Sequence, residues 1–114
     1  MSVKGVINPY QVIDSPDMTV SITSRPTVVL GQDNVSYQVS YTGSPVGEFF
    51  VEASNDGINW ASLTFVTPIT TGGSPNPFLI NINQIPYAQI RLRYAPDSGS
   101  GTLSAVVAAK RLGG

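Results

Sequence analysis

The sequence predicts an all-β domain: an antiparallel β-sandwich or jelly roll of about eight strands, with an extended N-terminal arm. Three observations carry that expectation. Short segments alternate apolar and polar residues with period two, the pattern of strands that bury one face. Clusters of Gly, Pro, Asn, Asp and Ser separate them at roughly 8–12-residue spacing, as in sandwiches. Helix signals are nearly lacking. Only Ala105-Val106-Val107-Ala108-Ala109 suits a helix, and its β-branched pair and the turn before it favour a strand.

Taken in order, residues 1–17 contain Asn8-Pro9 and Ser15-Pro16 among polar residues and read as an arm outside the main core. Met18 to Ile22 alternates strictly and predicts a strand, which Arg25-Pro26 breaks; Thr27 to Leu30 resumes before a turn at Gly31–Asn34. The clearest strand is Val35 to Thr42, with Val35, Tyr37, Val39 and Tyr41 on one face and Ser36, Gln38, Ser40 and Thr42 on the other. A short connection to Gly47–Ser54 predicts a hairpin. Ser54-Asn55-Asp56-Gly57-Ile58-Asn59-Trp60 is the central turn, because Asn, Asp and Gly tolerate the backbone conformations of tight reversals. A strand is expected over Trp60–Val66 and an exposed loop over 67–77. Phe78–Asn83 then directs Phe78, Ile80 and Ile82 inward, and Ile85-Pro86-Tyr87 makes a corner. Ala88–Ala95 carries Ile90, Leu92 and Tyr94 on one side. Pro96–Gly101 reads as a hairpin loop, and Thr102–Lys110 closes the set with Leu103, Ala105, Val107 and Ala109 inward. The expected organisation is an arm over 1–17, a sandwich over 18–112 and a tail at 113–114.

Composition narrows the function. The 114 residues suffice for one domain with its own core. Only 11% are charged, against roughly 25% in typical domains, and the net charge is −1. Such a surface offers no electrostatic pull toward nucleic acid or anionic membrane. It is also a weak defence against association, which favours a protein packed against neighbours. There is no cysteine and no histidine, which excludes disulfides, thiolate sites and the Ser-His-Asp triad. No signal peptide is expected, since Met1-Ser2-Val3-Lys4-Gly5 leads into no apolar stretch.

The remaining chemistry is sparse. Glu48 and Glu52 share one strand face about 13 Å apart by strand rise, outside the roughly 5–10 Å of a glycosidase pair. A calcium site from Asn55 and Asp56 lacks an acidic cluster. If the strands bearing Glu48 and Glu52 and bearing Arg91 and Arg93 are neighbours, cross-strand ion pairs form and act as a register device. No catalytic residue, cofactor or metal is expected. Asn55, Asp56, Gly57 and Trp60 are read as a structural turn whose Trp packs into the sandwich, so that truncating Trp60 costs about 3–5 kcal/mol.

Phe50-Val51-Glu52-Ala53 followed by Ser54–Trp60 resembles the strand–turn–Trp signature of discoidin-like (coagulation-factor C-type) jelly rolls. Ile90-Arg91-Leu92-Arg93-Tyr94 resembles their later Arg-bearing strand. A closer resemblance, over most of residues 35–112, is to small accessory proteins encoded among tailed-phage structural genes. It rests on Tyr41–Gly47, Ser54–Gly57, Trp60, Ile85–Tyr87, Ile90–Tyr94, Ser98–Thr102 and Ala108–Lys110. The resemblance implies a non-enzymatic virion component, a capsid decoration or cement protein or a head-tail accessory. Its partners would be other virion proteins (major capsid or head-tail proteins) and further copies of itself, with no nucleic acid and no membrane. It would be made in the host cytoplasm and located in the virion. The alternative is a glycan-binding module of a receptor-binding or adhesin-type protein, with Tyr10, Tyr87 and Trp60 as contact aromatics.

Overall fold

A computed structural model of the chain describes residues 6–30, 32–65, 69–72, 76–83 and 86–110, with the side chains of 6–8 excepted. Expectations for residues 1–5, Gly31, 66–68, 73–75, 84–85 and 111–114 lie outside the described residues. Among the described residues the fold is all-β, with ten strands in two antiparallel sheets. They are β1 (Val6–Asp17), β2 (Ile22–Thr23), β3 (Thr27–Val28), β4 (Asn34–Tyr41), β5 (Val46–Ser54), β6 (Ala61–Ser62), β7 (Ile69–Thr70), β8 (Phe78–Asn83), β9 (Gln89–Ser98) and β10 (Thr102–Lys110).

The first sheet runs β1-β10-β4-β8. The second is built on the long β5–β9 pair, with β2 and β3 along the outer side of β9 and β6 and β7 along that of β5. Period-two alternation sends Val35, Tyr37, Val39, Phe78, Ile80, Ile82, Leu103, Ala105 and Val107 inward from the first sheet. Phe49, Val51, Ile90, Leu92 and Tyr94 meet them from the second. Phe49 packs edge-on to Phe78 of the opposite sheet at 5.4 Å and against Tyr94 at 4.9 Å between ring centres. The core is therefore the space between the sheets. Ser24 bridges β2 and β3: its N–H donates to Leu92 O and its Oγ accepts from Leu92 N–H, both at 2.8 Å. A small hydroxyl thus takes the place of a ladder residue along β9.

Three expectations are corrected. Residues 6–17 are not an arm but the edge strand of the first sheet, paired with β10, and Val12 and Ile13 are buried. Two consecutive residues point inward because the register shifts between Gln11 and Ile13, one of three irregularities in β1. A bulge of this kind hides a strand from a period-two reading. Of the strands expected at 18–22 and 60–66, the described residues keep only two-residue pairings, β2 at Ile22–Thr23 and β6 at Ala61–Ser62.

The expected hairpins at Thr42–Gly47 and Pro96–Gly101 are connections between sheets, since β4 and β10 lie in one and β5 and β9 in the other. Crossing over lets the apolar faces of successive strands oppose each other. The two crossings run together at one end of the sandwich. Ser44 N–H donates to Ser100 O at 3.0 Å, Thr42 N–H to Thr102 O at 2.9 Å, and the Thr42 and Thr102 hydroxyls pair at 2.8 Å. Backbones approach this closely only without side chains. A Cβ at Gly101 would collide with the Thr42 carbonyl, and Gly43 and Gly99 also adopt φ of 77° and 78°.

Candidate functional site

The outward face of the second sheet brings charged and aromatic side chains together. In β5, Phe49, Val51 and Ala53 point inward, so Phe50, Glu52 and Ser54 point outward. In β9, Ile90, Leu92 and Tyr94 point inward, so Arg91 and Arg93 point outward. The antiparallel register places Glu52 opposite Arg91 and Phe50 opposite Arg93. Glu52 accepts from Arg91 Nε at 2.7 Å through Oε1 and from Arg93 Nε at 2.9 Å through Oε2. Both carboxylate oxygens are engaged, and Glu52 is only 9% exposed although it sits on an outer face. Glu48 forms no ion pair among the described residues; it lies opposite Ala95 and Thr70.

Aromatic rings flank the pair. The Arg91 guanidinium lies 4.2 Å from the centre of the Trp60 ring, and that of Arg93 lies 4.3 Å from the Phe50 ring. The row Trp60–Arg91–Glu52–Arg93–Phe50 fixes two cations between two rings and one carboxylate, with a formal charge of +1. Burial alone would raise the Glu52 carboxyl, but the hydrogen bonds and charges of Arg91 and Arg93 outweigh it and hold the group below its ordinary value of 4.5. Phe50 escaped the sequence reading. Its signal was present, for it shares the outward parity of Glu52 on the same strand.

The turn at Ser54–Trp60 is organised by Asp56. Its carboxylate accepts from the N–H groups of Ile58 and Asn59 at 2.8 Å each, from Ser54 Oγ at 2.9 Å and from Asn59 Nδ2 at 2.9 Å. These donors, led by the Asn59 and Ile58 N–H groups, hold its pKa far below the carboxylate range. They also occupy the oxygens a cation would need. Gly57 adopts φ of 76° and donates its N–H to Ser54 Oγ at 2.9 Å. Asn55 Oδ1 accepts from Ala88 N–H at 2.9 Å, which ties the turn to the segment entering β9. Ile58 at the tip is 80% exposed.

Trp60 requires a correction. It is half-buried and lies outside the core between the sheets, because the chain enters β6 on the outer side of β5 and the ring settles on Arg91. The three candidate contact aromatics have different surroundings. Tyr10 lies on β1 of the first sheet with its hydroxyl donating to Thr27 Oγ1 at 3.2 Å, Tyr87 is half-buried against the core, and Trp60 flanks the second sheet.

The fold and this face define a two-sheet antiparallel sandwich bearing an arginine–aromatic row on one outer surface. No family model matches the chain, and no curated protein matches it. Among solved structures it is similar to the SPBc2 prophage-derived protein YomS, at 10% identity, over 95% of this chain and 98% of that one, with a TM-score of 0.64. At that identity the likeness is one of fold.

Proposed function

We propose that the chain is a non-enzymatic structural component of a bacteriophage particle, a capsid decoration or cement protein or a head-tail accessory that binds neighbouring virion subunits. The observation that carries this reading is the likeness in fold, over nearly the whole of both chains, to a protein described as prophage-derived. The low charge supports it, because a near-neutral surface favours packing against neighbours. The arginine–aromatic row supports it further. Trp and Arg are the residues on which binding energy concentrates at protein interfaces, and here their side chains are immobilised beforehand, which lowers the entropic cost of docking.

The reading is tested by quantitative mass spectrometry of gradient-purified particles from a lysate of the phage encoding this chain. The expected result is a copy number in stoichiometric ratio to the major capsid or head-tail protein. Its absence from the particles overturns the proposal. The glycan-binding reading is the weaker one, since Tyr87 is half-buried against the core, one face of Trp60 is taken by Arg91 and the Tyr10 hydroxyl is bonded to Thr27.

A further inference from the structure

The two edges of the first sheet are unlike. Edge β1 is poorly suited to pairing with another chain: it contains Pro9 and Pro16, carries Asp14 and Asp17, has three register irregularities and places Ser15 at φ of 59°. These are the devices by which proteins blunt a strand edge. Edge β8 has none of them. Phe78-Leu79-Ile80-Asn81-Ile82-Asn83 is regular, uncharged and free of proline, and among the described residues it pairs on one side only, with β4. Its outward side chains are Leu79 (59% exposed), Asn81 and Asn83. Beside it runs an open groove of about 550 Å³, lined by Phe65 from the segment after β6, by Ile69 of β7 and by Phe78 and Ile80 of β8.

We propose that β8 pairs antiparallel with β8 of a second copy, centred on Asn81, to give a two-fold dimer with a continuous eight-stranded sheet. The argument for a second copy is self-complementarity. A two-fold axis at Asn81 sets Asn81 against Asn81 and Leu79 against Asn83, so that no charge is opposed or buried and the amides can bond across the axis. The same axis joins the two grooves, covering Phe65 and Ile69. Because β1 is blunted, growth stops at two copies and does not run on into a fibre. The dimer is independent of the virion reading.

Light scattering coupled to gel filtration over a concentration series tests it. The native chain is expected at about twice its 12.1 kDa mass, and Asn81→Lys, which places two cations on the axis, at half the native value. Gln38→Lys alters the same outer face on β4, one strand in from the edge, and is expected to keep the native mass. Asn81→Cys supplies a second readout, since the chain has no other cysteine; oxidation should convert it to a covalent dimer. A monomeric native chain, or an Asn81→Lys variant that stays dimeric, overturns the proposal. Loss of the dimer in Gln38→Lys does so too, by moving the contact from edge to face.

Discussion

Glu52 is nearly buried on a face that should be wet, and two arginines are the reason. Because its folded carboxyl is held below 4.5, the native state binds this proton less readily than the unfolded chain does. The resulting stability is fully present above about pH 4.5 and is lost as the pH falls through the lower folded value. Glu52→Gln keeps the shape and removes the charge from beside two guanidiniums. It should cost about 1.5–3 kcal/mol at neutral pH, the range for hydrogen bonds to charged groups. It should also flatten the decline of the urea midpoint as the pH falls below about 4.5, and an unchanged acid profile would count against the role assigned to this carboxylate. Trp60 calls for a smaller number than a core residue. Half-buried on Arg91, its truncation to Ala should cost about 1–2 kcal/mol, the scale of a partly desolvated cation–π contact. The same urea titration decides; a loss of about 3–5 kcal/mol would mean the ring supports the core after all.

Among elements, β1 separates an arm from a strand most sharply. A draped arm is dispensable, whereas β1 buries Val12 and Ile13 and covers the outer edge of β10. Two such side chains contribute about 1.5–3 kcal/mol each, a large share of the roughly 5–15 kcal/mol that holds a domain together. Deleting residues 1–17 should therefore abolish the cooperative thermal transition seen by circular dichroism. A truncated chain that melts like the parent would restore the arm. Strands β4, β8, β9 and β10 were legible because each alternates without interruption and contributes a full inward face. β2 and β6 were read as longer strands than they are, and β7 was read as loop, because a two-residue pairing has no period of its own. The Asp56 turn was legible for a local reason: Ser54, Asp56, Gly57 and Asn59 satisfy one another within six residues.

At the scale of the molecule, the features invisible in sequence are those made between distant segments. The Thr42–Gly47 and Ser98–Thr102 connections carry the Gly, Ser and Pro of hairpin loops. Nothing local distinguishes a turn back into one sheet from a crossing to the other. Their glycines serve the contact between crossings, some 60 residues apart in the chain. The outer-face row has the same character: parity placed Glu52, Arg91 and Arg93 outward, while the pairing of β5 with β9 chose which carboxylate they share and left Glu48 aside. The sequence by itself determined the all-β class, the inward residues of the long strands and the absence of His and Cys chemistry, because alternation and composition are local properties of the chain. Only the closing of the two sheets set the sheet to which each strand belongs, the conversion of the leading segment into an edge, the seating of Trp60 on Arg91 and the place of β8 at the end of the first sheet among the described residues. Those outcomes depend on how two apolar faces close over a common core.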